Sequence, residues 1–445
     1  MKRFLSVGGS GPAPKVPKVS SLVPRGDPRT LIAWNVENLA SRAQQNKREV
    51  QAFLATCGAD VVFLSEVKLS AHCGVAKAKK GDGAPRNRRR VHEKLGAERA
   101  ACLDLLDAGG FAAPIYSLAD WKYAGTCCLL RSGGPVPRRV FFSLPSEAAL
   151  SAAGDGAAVA FDDAHDADGR IMCLEYESLL VLHTYSPNNG SEANGFARRR
   201  DWEARIRAWV AAVAAAGRRL VYVGDLNVAP RDADLSHPAW FAAWNSNAPN
   251  KRFGKGPHAP LDPDDEGQPG CTPRERRFFD DLLAAGGLVD AYRAARGDAA
   301  PTLDGPYFSW RGPPGKDGPP ETGRYWAKGM RIDHALVSAS VSVDACDLLG
   351  SGFDRQGFFG SDHCPIKLVL AAEPGAAPVD APADREPPDK PAPPTPPEPE
   401  PAPPPAPPEP EPPTDPEWAC RTCTLLNEAQ HLACDACGQA RDSSS

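Results

Sequence analysis

Asp362 and His363 stand side by side in GSDHCPIKL, directly ahead of an apolar run. Two titratable residues have no structural use where a buried strand begins. Alone, the pair reads as a turn former and a satisfied histidine. Other apolar runs in the chain share the oddity. AWNVEN ends on Asn35 and Glu37, VVFLSEVK on Glu66 and Lys68, and LHTYSPNN on Tyr185 and Asn188. VYVGDLNV ends on Asp225 and Asn227, and MRIDHALVS holds Asp333. Any one of these could be a cap or a turn residue. Their repetition at strand ends is harder to assign to turns, because strand ends in an α/β sheet converge on one crevice.

The collected side chains define a chemistry. The carboxylate and amide oxygens of Asn35, Glu37, Glu66, Asp225 and Asp362 suit a hard cation, Mg²⁺ or Mn²⁺, and not zinc. A histidine beside a carboxylate can serve as an electrostatic group or a general acid or base. A tyrosine and amides can donate hydrogen bonds to phosphate oxygens. No serine or cysteine is set up as a nucleophile. The reaction implied is attack of an activated water on a phosphate ester, with the metal and His363 neutralising the developing charge.

The elements that must position these groups alternate in type. TLIAWNV, DVVFLSEV, TCCLLRS, RIMCLEY, LLVLHTY, RLVYVGDL and RIDHALVS read as short buried strands. Helical patterns lie at 47–56, 92–108, 193–216 and 273–285. The last opens on Thr272 and Pro273 with Glu275 following, a cap, a first-turn proline and an acid. This predicts an α/β body with helices covering the sheet faces.

Of 47 prolines in the 445-residue chain, 21 fall between Glu373 and Pro416, too many for a packed core. That stretch reads as an extended spacer. It gives expected boundaries of a basic tail at 1–28, a body at 29–371, a linker at 372–415 and a small module at 416–441. Between Ala371 and Pro416 ten acids face only Arg385 and Lys390, a net of −8 against −5 for the whole chain. The remainder is therefore about +3, which suits a polyanionic partner. The basic segment Lys77–Lys94 reads as a solvated surface loop or as a phosphate-contacting or nuclear-import element. No apolar run approaches the ~18 residues of a membrane span, and the N-terminus lacks the apolar region of a secretory signal. Nine of the thirteen cysteines are scattered, consistent with a reducing compartment. The other four, Cys420, Cys423, Cys434 and Cys437, form two Cys-x2-Cys knuckles ten residues apart, the spacing of a tetrahedral Zn²⁺ site.

NVENL, DVVFLSEVK, YAGTCCLLRS, TYSPNNG, GDLNVAPRDADLSHP, CTPRERRFFDDLL, RIDHALVS and GSDHCPI occur in order from Leu31 to Leu370. With them the body resembles the exonuclease III / apurinic-apyrimidinic endonuclease family of the endonuclease-exonuclease-phosphatase superfamily. The resemblance implies a two-layered β-sandwich flanked by helices that cleaves phosphodiesters of double-stranded DNA at abasic sites or damaged 3′ ends. It implies Glu66 as the principal metal ligand, in a set with Asn35, Glu37, Asp225, Asn227, Asp362 and His363. Asp225 would orient or deprotonate the water, and Asn227 would hold the water or the transition-state oxygen. Asp333 and His363 would contact the scissile phosphate, with Tyr185, Asn188 and Lys68 on the substrate side. The chain departs from the family pattern at Asn38 and Ala40, where glycine and arginine are usual. It also departs in Ser65-Glu66-Val67-Lys68, usually Gln-Glu-Thr-Lys. Ser309 and Met330 stand where aromatic walls of the abasic-sugar pocket are usual, which points toward 3′-end processing. The cysteine module, with Trp418 and Asn427, resembles the zinc finger of Ran-binding nucleoporins, whose members bind ubiquitin or single-stranded nucleic acid; Thr424-Leu425 leans toward a protein ligand. A monomer in the nucleus is expected, with the basic tail leaving an organelle open. The rival readings are a phosphoesterase of RNA or inositol or phospholipid phosphates, and a non-catalytic scaffold.

Overall fold

The computed structural model describes residues 22–71, 88–119, 122–152, 158–190, 193–243, 262–297, 301–315 and 319–372, with the short strands Trp418–Ala419 and Leu426–Asn427. The chain divides into two units, Met1–Ala376 and Ala377–Ser445. In the second, Trp418–Ala419 pairs antiparallel with Leu426–Asn427. The basic N-terminal residues 1–21, residues 77–87 of the basic segment, and the four knuckle cysteines lie outside the described residues.

The first unit is two packed sheets. One has six strands: β1 (Thr30–Asn35), β2 (Val61–Ser65), β3 (Ile115–Ser117), β4 (Thr126–Leu130), β14 (Val343–Leu348) and β15 (Ile366–Leu370), ordered β14-β15-β1-β2-β4-β3. The other has seven: β5 (Arg139–Phe142), β6 (Ala160–His165), β7 (Ile171–Glu175), β8 (Leu179–Tyr185), β9 (Arg219–Asp225), β10 (Leu288–Asp290) and β13 (Asp333–Ser338), ordered β10-β13-β9-β8-β7-β5-β6. A small antiparallel pair, β11 (Trp310–Arg311) with β12 (Gly329–Met330), forms its own two-stranded sheet and bridges to His363 through Trp310 and to Leu235 through Met330.

The central strands are apolar at nearly every position because both their faces are covered. In β1, Leu31 and Ala33 join Phe63, Val181, Val221, Val223 and Ala335 in the layer between the sheets. The alternate residues Ile32 and Trp34 point outward, onto Leu39 of α1 (Leu39–Gln45), Val50 and Leu54 of α2 (Lys47–Thr56), and Leu105 of α3 (Arg88–Leu106). On the far side, Leu180, Leu182 and Tyr222 pack on Trp202, Ile206 and Val210 of α5 (Ala193–Ala215) and Phe279 and Leu282 of α7 (Pro273–Gly286). This is the expected helix-flanked two-layer sandwich. All seven strands read from the sequence are present. Strands β3, β5, β6, β10, β11, β12 and β14 were not read. β6, AFDDAH, is an exposed edge carrying two aspartates, a composition with little β-propensity. The basic segment is helical from Arg88, so it is not a loop through Lys94.

Candidate active site

Register brings the polar strand ends together. β1 and β2 run parallel with Asn35 beside Ser65, so Asn35 and Glu66 emerge at one rim of the first sheet. β8 and β9 run parallel with Tyr185 beside Asp225, and antiparallel β13 begins with Asp333 beside Asp225. The two rims close on each other. The Asn35 amide donates to Asp225 Oδ2 at 2.9 Å, and the Tyr185 hydroxyl donates to Glu66 Oε1. The crevice therefore lies across the mouth of two sheets, not at the edge of one open sheet. Asp362 and His363 reach it because β15 is antiparallel to β1 and begins at this end. Their turn is pinned: Ser361 Oγ donates to the Asn35 carbonyl at 2.6 Å, and Trp34 Nε1 donates to the His363 carbonyl at 2.9 Å.

The backbone here is held in unusual conformations. Glu37, Glu66, Lys68 and Asn227 all have positive φ, at 58°, 53°, 50° and 50°. Non-glycine residues adopt this region rarely, at a cost of order 1–3 kcal/mol each. Backbone hydrogen bonds from Val67 to Gly125 and from Lys68 to Ala124 fix the turn after β2, which carries Glu66 at the crevice. Gly224, just before Asp225, is required by close approach, since a Cβ there would lie 2.1 Å from the Thr184 carbonyl oxygen.

Asp333 Oδ2 lies 2.7 Å from His363 Nδ1, and His363 Nε2 lies 3.9 Å from Asp225 Oδ2, all buried. Burial pulls the imidazole pKa down, but Asp333 and Asp225 more than offset it and raise it to about 10. Burial and the Asp333 charge raise Asp225 to about 7, with His363 and the Asn35 amide acting the other way. Asp225 can therefore exchange a proton near neutral pH. Asn227 is fixed by its backbone N–H to Asp225 Oδ1 and its amide to the Ser186 carbonyl, both 2.9 Å. Asn188 Nδ2 sits 3.5 Å from Asn227 Oδ1. Lys68 Nζ pairs with Glu66 Oε2 at 2.7 Å, and Asp362 Oδ2 accepts from Trp310 Nε1 at 3.0 Å. Glu37 lies at the periphery, its carboxyl raised by burial and by Asp362 and lowered by Arg42.

The donor set fits a hard cation. Asp225, Asp333 and His363 have ligand-type atoms within 4.8 Å of one another. His363, raised to about 10, is protonated and cannot ligate, so the cation's donors are the carboxylate and amide oxygens. Asp333 Oδ1 is buried without a hydrogen-bond partner, an acceptor suited to a cation. Thus Asn35, Glu66, Tyr185, Asp225, Asp333 and His363 meet at this crevice, with Glu37 at its periphery.

Two expectations about the pocket wall are corrected. Ser309 is fully buried, and its hydroxyl accepts the backbone N–H groups of Ile332 and Asp333 at 3.0 and 2.9 Å, so it supports the floor beneath Asp333. Met330 is packed among Leu235, Phe241, Cys271 and Ile332. Half-buried Trp310 hydrogen-bonds Asp362, and half-buried Tyr325 lies edge-on to Trp310 at 5.7 Å between ring centroids. Sequence reasoning also missed Arg170. Its guanidinium stacks 4.5 Å from the Tyr185 ring centroid, and its Nη1 donates to the Tyr185 carbonyl at 3.0 Å. An arginine opening the apolar run RIMCLEY was the available signal.

Residues 32–363 match the Endonuclease/Exonuclease/phosphatase family. A DNA-(apurinic or apyrimidinic site) endonuclease of Arabidopsis thaliana is 33% identical over 356 residues, 78% of this chain and 86% of that protein. An exodeoxyribonuclease of Bacillus subtilis (strain 168) is 28% identical over 340 residues, 76% of this chain and 98% of its own. Among solved structures, an AP endonuclease from Leishmania major shares the fold, with a TM-score of 0.52 at 20% identity, covering 80% of this chain and 93% of that one. With its strand-end carboxylates, amides and histidine gathered at the mouth of a two-sheet sandwich, the chain belongs to the endonuclease/exonuclease/phosphatase family.

Proposed function

We propose that this chain is a metal-dependent DNA repair nuclease that hydrolyses phosphodiesters at abasic sites and at 3′ ends. The observation that carries it is the meeting of Glu66, Asn35, Asp225, Asn227, Asp333 and His363 at one mouth between the sheets. The named activities of the Arabidopsis and Bacillus relatives support the substrate class. Glu66 would hold Mg²⁺ or Mn²⁺, with Asn35, Glu37 and Asp362 around it. The ion, when bound, supplies Lewis-acid stabilisation of a phosphoryl oxygen. Asp225 orients the water and takes its proton, and Asn227 holds the water or the developing oxyanion. His363, charged against Asp333, faces the scissile phosphate. Tyr185, Asn188 and Lys68 donate to phosphate oxygens.

Processing of 3′ ends outpaces internal incision in this reading. Extruding a residue from duplex costs a few kcal/mol, and a 3′ end, which frays more readily, meets less of that cost. We also assign one Zn²⁺ to Cys420, Cys423, Cys434 and Cys437 on their spacing, ubiquitin or single-stranded nucleic acid as that module's ligand, and the nucleus as the compartment.

The test is cleavage, with Mg²⁺ or Mn²⁺, of a duplex with an internal abasic analogue, a duplex with a recessed or blocked 3′ end, and single-stranded RNA. Cleavage of both duplexes, with higher kcat/KM at the 3′ end, is expected. RNA cleaved in preference to both would overturn the reading. Preference for the internal site by about tenfold, ~1.4 kcal/mol of transition-state energy, would overturn the 3′-end preference and make Trp310 and Tyr325 the wall.

A further inference from the structure

CTPRERRFF lies outside the crevice, yet it contains Glu275, a carboxylate only 2% exposed. A capping box at the start of α7 accounts for one of its oxygens. Oε2 accepts from the Thr272 N–H at 3.3 Å, from Thr272 Oγ1 at 2.9 Å and from the Gly270 N–H at 2.8 Å. The other oxygen leaves the helix altogether. Oε1 accepts from Asn189 Nδ2 at 2.9 Å, in the loop that carries Tyr185 and Asn188.

The Gly270 contact leads to the second crevice loop. The Gly270 carbonyl accepts the Ala229 N–H at 2.6 Å, two residues past Asn227. Gly270 itself has φ of +94°, and a Cβ there would lie 3.2 Å from the Asn227 carbonyl oxygen. A second buried charge, Arg199 of α5, ties the same two loops from behind. Its Nη1 donates to the Pro187 carbonyl and its Nη2 to the Leu226 carbonyl, both at 2.9 Å, while Nε pairs with Glu203 at 2.6 Å. Glu275 and Glu203 both raise the Arg199 pKa against the effect of its burial.

Burying an anion and a cation is costly unless every hydrogen-bonding position is met, and a helix cap alone requires neither. We propose that Glu275 and Arg199 are positioning residues for the reaction: together they set the distance between the Tyr185–Asn188 loop and the Asp225–Asn227 loop, and so aim the Asn188 and Asn227 amides at the phosphate. Neither touches substrate. The inference rests on the nuclease reading, so turnover by the unmodified enzyme is established first on the same duplex; its absence would count against that reading and not against this one.

The experiment compares Asn189→Ala, Glu275→Ala, Glu275→Gln and Thr272→Ala in the full chain, measuring kcat, KM and Tm. Asn189 is 1% exposed and cannot reach substrate, and its change leaves the α7 cap intact. A misplacement near 1 Å can cost about 100-fold, so Asn189→Ala and Glu275→Ala should each lower kcat by about tenfold or more with little change in KM. The Asn189→Ala/Glu275→Ala double variant, measured alongside, should be no slower than the slower single one, because one contact is being removed twice. Glu275→Gln should recover part of kcat. Thr272→Ala removes the cap and one donor to Glu275 Oε2 but keeps the Oε1 contact with Asn189, so it should lower Tm while keeping kcat. Wild-type kcat in Asn189→Ala, additive losses in the double variant, or an equal kcat loss in Thr272→Ala would overturn the proposal. Should Glu275→Ala not fold, Asn189→Ala and Glu275→Gln decide it.

Discussion

Asp333→Asn is the most informative single change to the crevice, because it preserves shape and removes one charge. Asp333 is the largest influence raising His363 above its ordinary 6.5, to about 10, against the opposing effect of burial. That rise corresponds to at most about 5 kcal/mol of preference for the imidazolium form. Because the folded value exceeds the unfolded one, this stabilisation is fully present below pH 6.5. It is lost as pH climbs from 6.5 to about 10. In the variant, burial should dominate and His363 should be neutral at pH 7. The Asn amide would also face Nδ1 as a donor and impose the other tautomer, a change that costs a histidine-dependent hydrolase about 10⁴ in kcat. We expect kcat to fall about 10³- to 10⁴-fold, with DNA affinity largely kept. NMR titration of the metal-free protein should place the wild-type His363 resonance near 10 and the variant's below 6.5. The alkaline limb of the pH–rate profile should move down with it. A folded Asp333→Asn variant with the wild-type alkaline limb, or with wild-type kcat, would refute the ion-pair reasoning.

If Asp225, its carboxyl raised to about 7, takes the proton as proposed, Asp225→Asn should nearly abolish cleavage and remove the acidic limb of the pH–rate profile; a surviving acidic limb in a variant with residual activity would assign that limb elsewhere. Exhaustive chelation should stop turnover and Mg²⁺ or Mn²⁺ should restore it. Activity that persists after chelation would contradict a cation at Glu66. Ser309→Phe should destabilise by about 1–3 kcal/mol through overpacking, with a further loss from two orphaned backbone donors, and calorimetry would show it; an unchanged Tm would contradict the buried position of Ser309. Cys420→Ser or Cys434→Ser should remove one zinc per chain by elemental analysis while cleavage of naked duplex continues, and unchanged zinc content would refute the four-cysteine assignment.

What the sequence exposed was polarity where a buried strand has no use for it. Asn35, Glu66, Asp225, Asp333 and His363 stood out because each adjoins an apolar run, and chain order alone predicted that such ends meet. Hidden from the sequence was anything set by the packing of one sheet on the other. Glu66 and Tyr185 lie 119 positions apart and pair only because the rims close face to face. The positive φ of Glu66 is equally unannounced, since glutamate has no intrinsic preference for that region, whereas Asn227 is a residue type that tolerates it. Ser309 shows the converse error: matched to an aromatic wall by position, it is a hydrogen-bond acceptor beneath Asp333, a role fixed by two backbone donors that no side-chain pattern announces. Arg199 and Glu275 were visible only as helix residues, one in a basic stretch and one in a cap. Their burial behind the crevice loops follows from the docking of α5 and α7 on β9, a tertiary event. The polar residues at the crevice are therefore the ones a sequence displays, and the buried residues that brace its loops become visible only when the layers are assembled.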